Sequence, residues 1–153
     1  MSSQPVHDYP ILTPNRTDVA TPEGFRPVDL IDPYEAHIGP YFVRDDADGG
    51  QTCALPLDRR HMNAWGNAHG GLLMTFSDAA LGMTTWRVTG WQPCVTLDLS
   101  LSFLKPGPLG GLLMVKPEVT RQTKQILFLR GDLKVGDDIV ATATSVWKVI
   151  KGS

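Results

Sequence analysis

An α+β domain, with one antiparallel sheet curled around one long helix, is the architecture the sequence predicts. Three observations lead there. A single apolar helical segment begins at His69 or Gly70 and runs beyond Gly82. Two short strand-like runs precede it and four long ones follow. Short turns join the long runs, which implies antiparallel pairing, and a lone apolar helix must bury its stripe against the face of that sheet. The length of 153 residues suits one domain with a real core.

Residues 1–25 read as an extended arm, with Pro5, Pro10, Pro14 and Pro22 among polar residues. The folded domain is expected over 26–151. In "DPYEAHIG" Asp32 can cap, Pro33 suits the first helical position and Gly39 can end the turn, which predicts a short helix at 33–38. "PYFVR" and "GQTCALPL" read as two strands parted by the turn-rich "DDADGG", and "DRRHMNAWGN" as a loop. After the long helix, "CVTLDLSLSF" sets Val95, Leu97, Leu99, Leu101 and Phe103 against Thr96, Asp98, Ser100 and Ser102. That is the period of a half-buried strand, with the first set facing the core. "LLMVKPEVTRQT", "QILFLRGDLKV" and "DIVATATSVWKVI" read as three more strands, with "TK" and "GD" marking turns.

Composition narrows the function classes. A formal charge of -2 argues against a general nucleic-acid binder or anionic-membrane binder. No stretch approaches about 18 consecutive apolar residues, so no membrane helix is expected. The N-terminus lacks a basic region followed by an apolar run, so no secretory signal is expected either. Cys53 and Cys94 have no metal-ligand spacing and read as reduced thiols. A cytoplasmic protein is the inference. His61 and His69 are not spaced as a helical metal pair, so neither a metal nor a cofactor is expected.

At about 100° per residue, Leu72, Leu73, Phe76, Ala79, Ala80 and Met83 fall in one stripe, the expected core face. Gly71, Thr75, Asp78, Gly82 and Thr85 fall on the opposite face. That face carries small and hydroxyl residues and one carboxylate, and no Lys or Arg occurs from Met62 to Trp86. It reads either as a solvent face or as a contact with a second copy of the chain; the absence of long charged side chains favours the second.

The chemistry follows from the helix ends. A helix N-terminus presents unpaired N–H groups and partial positive charge, and Gly70 and Gly71 leave room for a ligand against the backbone. Such a place stabilises an oxyanion developing on a carbonyl. A carboxylate across from it can act as general base on water or as nucleophile. Together they suit hydrolysis of an activated acyl group. The chain has no Gly-x-Ser-x-Gly elbow. Eight residues separate Gly70 from Asp78, about 12 Å of helix rise. The two groups of one chain therefore cannot flank one small reacting group, and a shared site between two antiparallel chains is expected.

"NAWGNAHGG" followed by Asp78 resembles the signature of hotdog-fold acyl-CoA thioesterases, in the phenylacetate-degradation (PaaI-like) and thioesterase-superfamily-member-2 branch. "VTLDLSLSFLKP" is similar to that family's next strand, and the resemblance spans about residues 38–150. It implies a hotdog fold, a sheet wrapped around a central helix, in dimers that pair into tetramers. It implies hydrolysis of acyl-CoA. The Gly70 N–H and the Asn63 side chain would polarise the thioester carbonyl, and Asp78 of the partner chain would activate or attack with water. Thr96 would help hold that water, and His69 would support the site. Plainer roles stand beside these: Asn63 as a turn residue, His69 as a helix cap, Thr96 as an ordinary strand residue. A related branch places Glu at the Asp78 position with a hydroxyl one turn later; here that later residue is Gly82, so the branch with its hydroxyl on the following strand fits better. Coenzyme A carries phosphates, and Arg59, Arg60, Lys105, Arg121 and Lys124 are candidates for its entrance. Trp65, Met74 and Trp86 read either as acyl-pocket lining or as core. A hotdog hydratase or dehydratase, a non-catalytic acyl-CoA binder and an acyl-carrier-protein thioesterase are the alternatives.

Overall fold

The computed structural model describes residues 18–28 and 32–150. Most of the expected N-terminal arm, and residue 151, lie outside them. The elements run β1 (Arg26–Pro27), α1 (Pro33–Ile38), β2 (Phe42–Asp45), β3 (Gln51–Pro56), a 3-10 turn (Arg59–His61) and α2 (Gly70–Val88). Then follow β4 (Cys94–Phe103), β5 (Leu112–Val115), β6 (Glu118–Gln122), β7 (Ile126–Val135) and β8 (Asp138–Val149). The strands form one antiparallel sheet in the order β1-β2-β3-β5-β7-β8-β4, with β6 also on β7. The α+β architecture read from the sequence is present.

One predicted strand is two. "LLMVKPEVTRQT" breaks after Val115, and β5 and β6 pair with different stretches of β7. Pro117 lies in the break, where its missing N–H cannot serve a ladder.

α2 packs on the concave face of the sheet. Leu72, Leu73, Phe76, Ala79 and Ala80 are buried as the helical period predicts, and Met83 packs partly buried against the same cluster. The opposite face departs from expectation. Gly82 and Thr85 are buried in the chain's own core, not left for a second copy. A methyl group placed on Gly82 would lie 2.8 Å from the Trp147 ring of β8, and Thr85 Oγ1 donates back to Leu81 O. A curled sheet covers more of a helix than one 120° stripe, so the small residues of the last turns serve close approach of Trp147. Only Gly71, Thr75 and Asp78 of that face keep solvent access.

β4 also departs from simple alternation. Thr96 pairs with Trp147 and Asp98 with Val146, so Leu97 is an extra residue in a β-bulge. A bulge shifts the faces by one residue. Leu101 still packs toward the core, but Val95 and Leu97 are exposed, and Thr96 turns inward to the helix. Among the described residues, no helix is long and apolar enough to cross a membrane.

Candidate active site

The loop before α2 is built to hold Asn63 and His69. Asn63 Oδ1 accepts from the backbone N–H groups of Trp65 and Asn67. This local turn is the use expected of Asn, and it leaves the Asn63 amide N–H₂ as the free donor of that side chain. The loop is pinned from both sides, by Ala68 N–H to Gly107 O and His69 N–H to His61 O. His61 is a buried strut, with Nδ1 facing the Asp58 N–H and Nε2 facing Ile38 O.

His69 is the N-cap of α2, and its Nδ1 accepts the Gly71 N–H at 2.9 Å. The capping role is thus present, and it consumes one of the free donors at the helix start. Among the described residues nothing accepts the neighbouring Gly70 N–H. A methyl group on Gly70 would lie 3.5 Å from the Phe103 ring at the end of β4, so that ring stands beside the helix start.

Asp78 lies two turns on. Thr96 Oγ1 donates to Asp78 Oδ1 at 2.8 Å, and Asp78 forms no ion pair among the described residues. The structure therefore joins Thr96 to Asp78, with Gly70 at the other end of the same helix and Asn63 in the loop before it. The five basic candidates are not gathered into one cluster. Arg60 donates to the carbonyls of His37, Ile38 and Gly39 and pairs with Asp58, so it caps the end of α1. Lys105 pairs with Asp138. Arg59 is exposed on the 3-10 turn, Arg121 is exposed on β6, and Lys124 is exposed in the β6–β7 turn. Trp65 is 85% exposed and so is not core, whereas Met74 and Trp86 are partly buried.

A second carboxylate near Asp78 has no counterpart in the sequence reading. Tyr34 of α1 shares a hydrogen bond with Thr75, one turn before Asp78, at 3.1 Å. Its neighbour Glu35 is partly buried. Burial first, then the negative charges of Asp32 and Asp78, push its carboxyl up to about 7. Tyr41 is fully buried, its hydroxyl has no hydrogen-bond partner and its ring tilts against Phe76. Burial and nearby Glu35 hold its phenol in the neutral form. The available signal was the absence of Lys and Arg from residue 27 to residue 43 around Asp32 and Glu35.

A curved antiparallel sheet around one long helix is the architecture of the hotdog fold. The thioesterase superfamily model matches residues 66–142, and the chain belongs to that family. It is 36% identical over 127 residues to the Pseudomonas aeruginosa protein named "Putative esterase PA0474", covering 82% of this chain and 95% of that one. It is 28% identical to human acyl-coenzyme A thioesterase 13, over 65% of this chain and 71% of the relative. A crystal structure of the Bacillus halodurans protein BH2602 with CoA superposes with a TM-score of 0.66 at 26% identity, covering 72% of this chain and 74% of that one.

Proposed function

We propose that the protein hydrolyses an acyl-CoA thioester to a free acid and CoA, in a site shared by two copies. The observation that carries the reading is the placement of the two halves along β4. Phe103 stands by Gly70 at one end of this strand, and Thr96 binds Asp78 toward the other. Among the described residues β4 is the last strand of the sheet, ten residues long and paired only by β8. Its Val95, Leu97 and Phe103 are 41%, 55% and 56% exposed. A long apolar edge is a template for pairing with another strand. Antiparallel pairing of two β4 edges about Leu99 sets Phe103 of one copy opposite Val95 of the other. Asp78 of the partner then approaches Gly70, across a gap one chain cannot close.

In that arrangement the Gly70 N–H and the Asn63 amide donate to the thioester oxygen. Asp78 of the partner takes a proton from water while the water oxygen attacks the carbonyl carbon. Thr96 holds one carboxylate oxygen and leaves the other for that proton. Collapse of the tetrahedral intermediate breaks the C–S bond, and Asp78 returns its proton to the departing thiolate. Arg59, Arg121 and Lys124, which form no ion pair among the described residues, are the candidates for the CoA phosphates; Arg60 and Lys105 are engaged elsewhere. The relative named as an acyl-CoA thioesterase and the CoA-bound neighbour support this substrate class.

The test is Asp78→Asn, assayed for thiol release over a panel of aromatic, short-chain and long-chain acyl-CoAs. The expected result is a loss of about 100-fold or more in kcat with the fold unchanged. Turnover near wild type would overturn the mechanism.

A further inference from the structure

Trp91 has no part in the chemistry proposed above. It lies in the turn between α2 and β4 with φ at 67°, the one non-glycine residue at positive φ among the described residues. A bulky side chain is rare in this region and strained there. The turn itself does not need it. The Trp91 N–H closes the helix end on Trp86 O at 2.7 Å, a backbone bond that glycine would make as well, and Gly90 beside it has a φ of 71°. The Trp91 side chain is exposed, without a hydrogen bond or ring contact among the described residues, and it stands outside the core cluster. The chain thus holds a large apolar ring in a strained backbone conformation that its own core does not use.

A surface suited to that ring lies at the other end of the molecule. Leu104 and Leu109 are exposed just beyond the far end of β4, and Trp65 is exposed on the loop that carries Asn63. The two segments are stitched together by the Asn67–Pro108 bridge and by Ala68 N–H donating to Gly107 O. In one chain the Asn63 loop precedes α2 and Trp91 follows it. The nineteen residues of α2 rise about 28 Å, so Trp91 cannot reach the Asn63 loop of its own chain. The edge pairing proposed above brings the two together. Antiparallel pairing about Leu99 carries Leu104 of one copy past Cys94 of the other, and carries the segment around Gly107 past Trp91, three residues ahead of the strand. The helices agree. With Asp78 of the partner beside Gly70, the rest of the partner's α2 runs on past Gly70 toward the loop before it, and the turn with Trp91 follows its last residue.

We infer that Trp91 of each copy seats against the Asn63 loop and the 104–109 segment of the other, and so holds the Asn63 amide in place for the thioester oxygen. Trp91 is then a positioning residue supplied by the partner. Tryptophans that become buried on association are frequent anchors of an interface. The strain at φ 67° persists because the ring is used outside its own chain. The inference rests on the edge pairing and on the role of Asn63 proposed above.

The test compares the full chain with its Trp91→Gly and Trp91→Phe variants. Glycine suits the left-handed backbone and removes the ring; phenylalanine keeps an aromatic anchor. Sedimentation comes first and should show paired chains, as dimers or dimers of dimers, for all three. At a concentration where they sediment alike, hydrogen exchange reads the amides of Asn63, Gly66 and Ala68, which donate to the carbonyls of Asn67, Asn63 and Gly107. Their protection should fall about fivefold or more in Trp91→Gly. On acyl-CoA, kcat should fall about tenfold, short of the roughly 100-fold or more that outright loss of an oxyanion donor costs. KM and melting temperature should change little, and Trp91→Phe should restore both loop protection and kcat. Unchanged loop protection in paired Trp91→Gly overturns the inference and leaves the shared site standing. So does a rise in KM at constant kcat, which would put Trp91 on the substrate. So does a Trp91→Gly that sediments only as monomer, which would make Trp91 an assembly residue. A monomeric wild type overturns the edge pairing itself, and this inference with it.

Discussion

Thr96 Oγ1 donates to Asp78 Oδ1 at 2.8 Å, and that bond decides what a change at Thr96 should do. Val keeps the branched shape that suits a strand and removes the donor. Positioned proton transfer is worth about 100- to 10,000-fold, so a base left without its orienting donor should lower kcat by about tenfold or more in Thr96→Val. KM and melting temperature should move little, and steady-state kinetics beside thermal melts would check this. Gly82 calls for the opposite pattern. Its Cα hydrogen faces the Trp147 ring, and an added methyl would stand 2.8 Å from a ring carbon. Overpacking a buried contact costs about 1–3 kcal/mol, so Gly82→Ala should lower the unfolding free energy from denaturant titration by that amount and leave kcat nearly unchanged. The two substitutions separate a residue that acts on the reaction from one that acts on the core.

At the scale of elements, β4 carries both the expected site and the clearest departure from sequence reading. Strict alternation placed Val95 and Leu97 toward the core and Thr96 away from it. The bulge at Leu97 reverses this before Asp98 and aims Thr96 at α2. A bulge is set by the partner strand, here Trp147 and Val146 of β8, so alternation within one strand cannot reveal it. The same limit explains α2: its period gave the buried stripe, but Gly82 and Thr85 are covered by the curl of the sheet, which no single-helix wheel contains. What was legible was local: the cap at Asp32, the helix start at Gly70 and the strand runs. The Glu35–Tyr41 environment was not, because burial there is a product of tertiary packing. The bulge also leaves Leu97 55% exposed on the free edge, which makes it a handle on assembly. Leu97→Lys should block edge pairing, since a charged edge residue opposes strand addition. Sedimentation should show a lighter species, and thiol release should fall with it while circular dichroism retains the αβ signature.

For the whole molecule the question is whether one chain can complete the chemistry. Gly70 and Asp78 lie eight residues apart on one helix, about 12 Å in rise, so each site in a symmetric pair would take its oxyanion donor from one copy and its base from the other. This predicts complementation. Gly70→Pro deletes the N–H at a first helical position, where proline is well tolerated, and His69 before it already has an extended ψ of 138°, as a residue preceding proline prefers. Loss of one oxyanion donor should cost about 100- to 1,000-fold in kcat. Asp78→Asn disables the other half. Each variant alone should be nearly inactive, but unfolding and refolding the two together gives mixed pairs. In each mixed pair one site joins the intact Gly70 of the first chain to the intact Asp78 of the second. With random pairing, half of the dimers are mixed and one of their two sites works, so about a quarter of wild-type activity should return. A site contained within a single chain would return none, because neither variant would hold both groups.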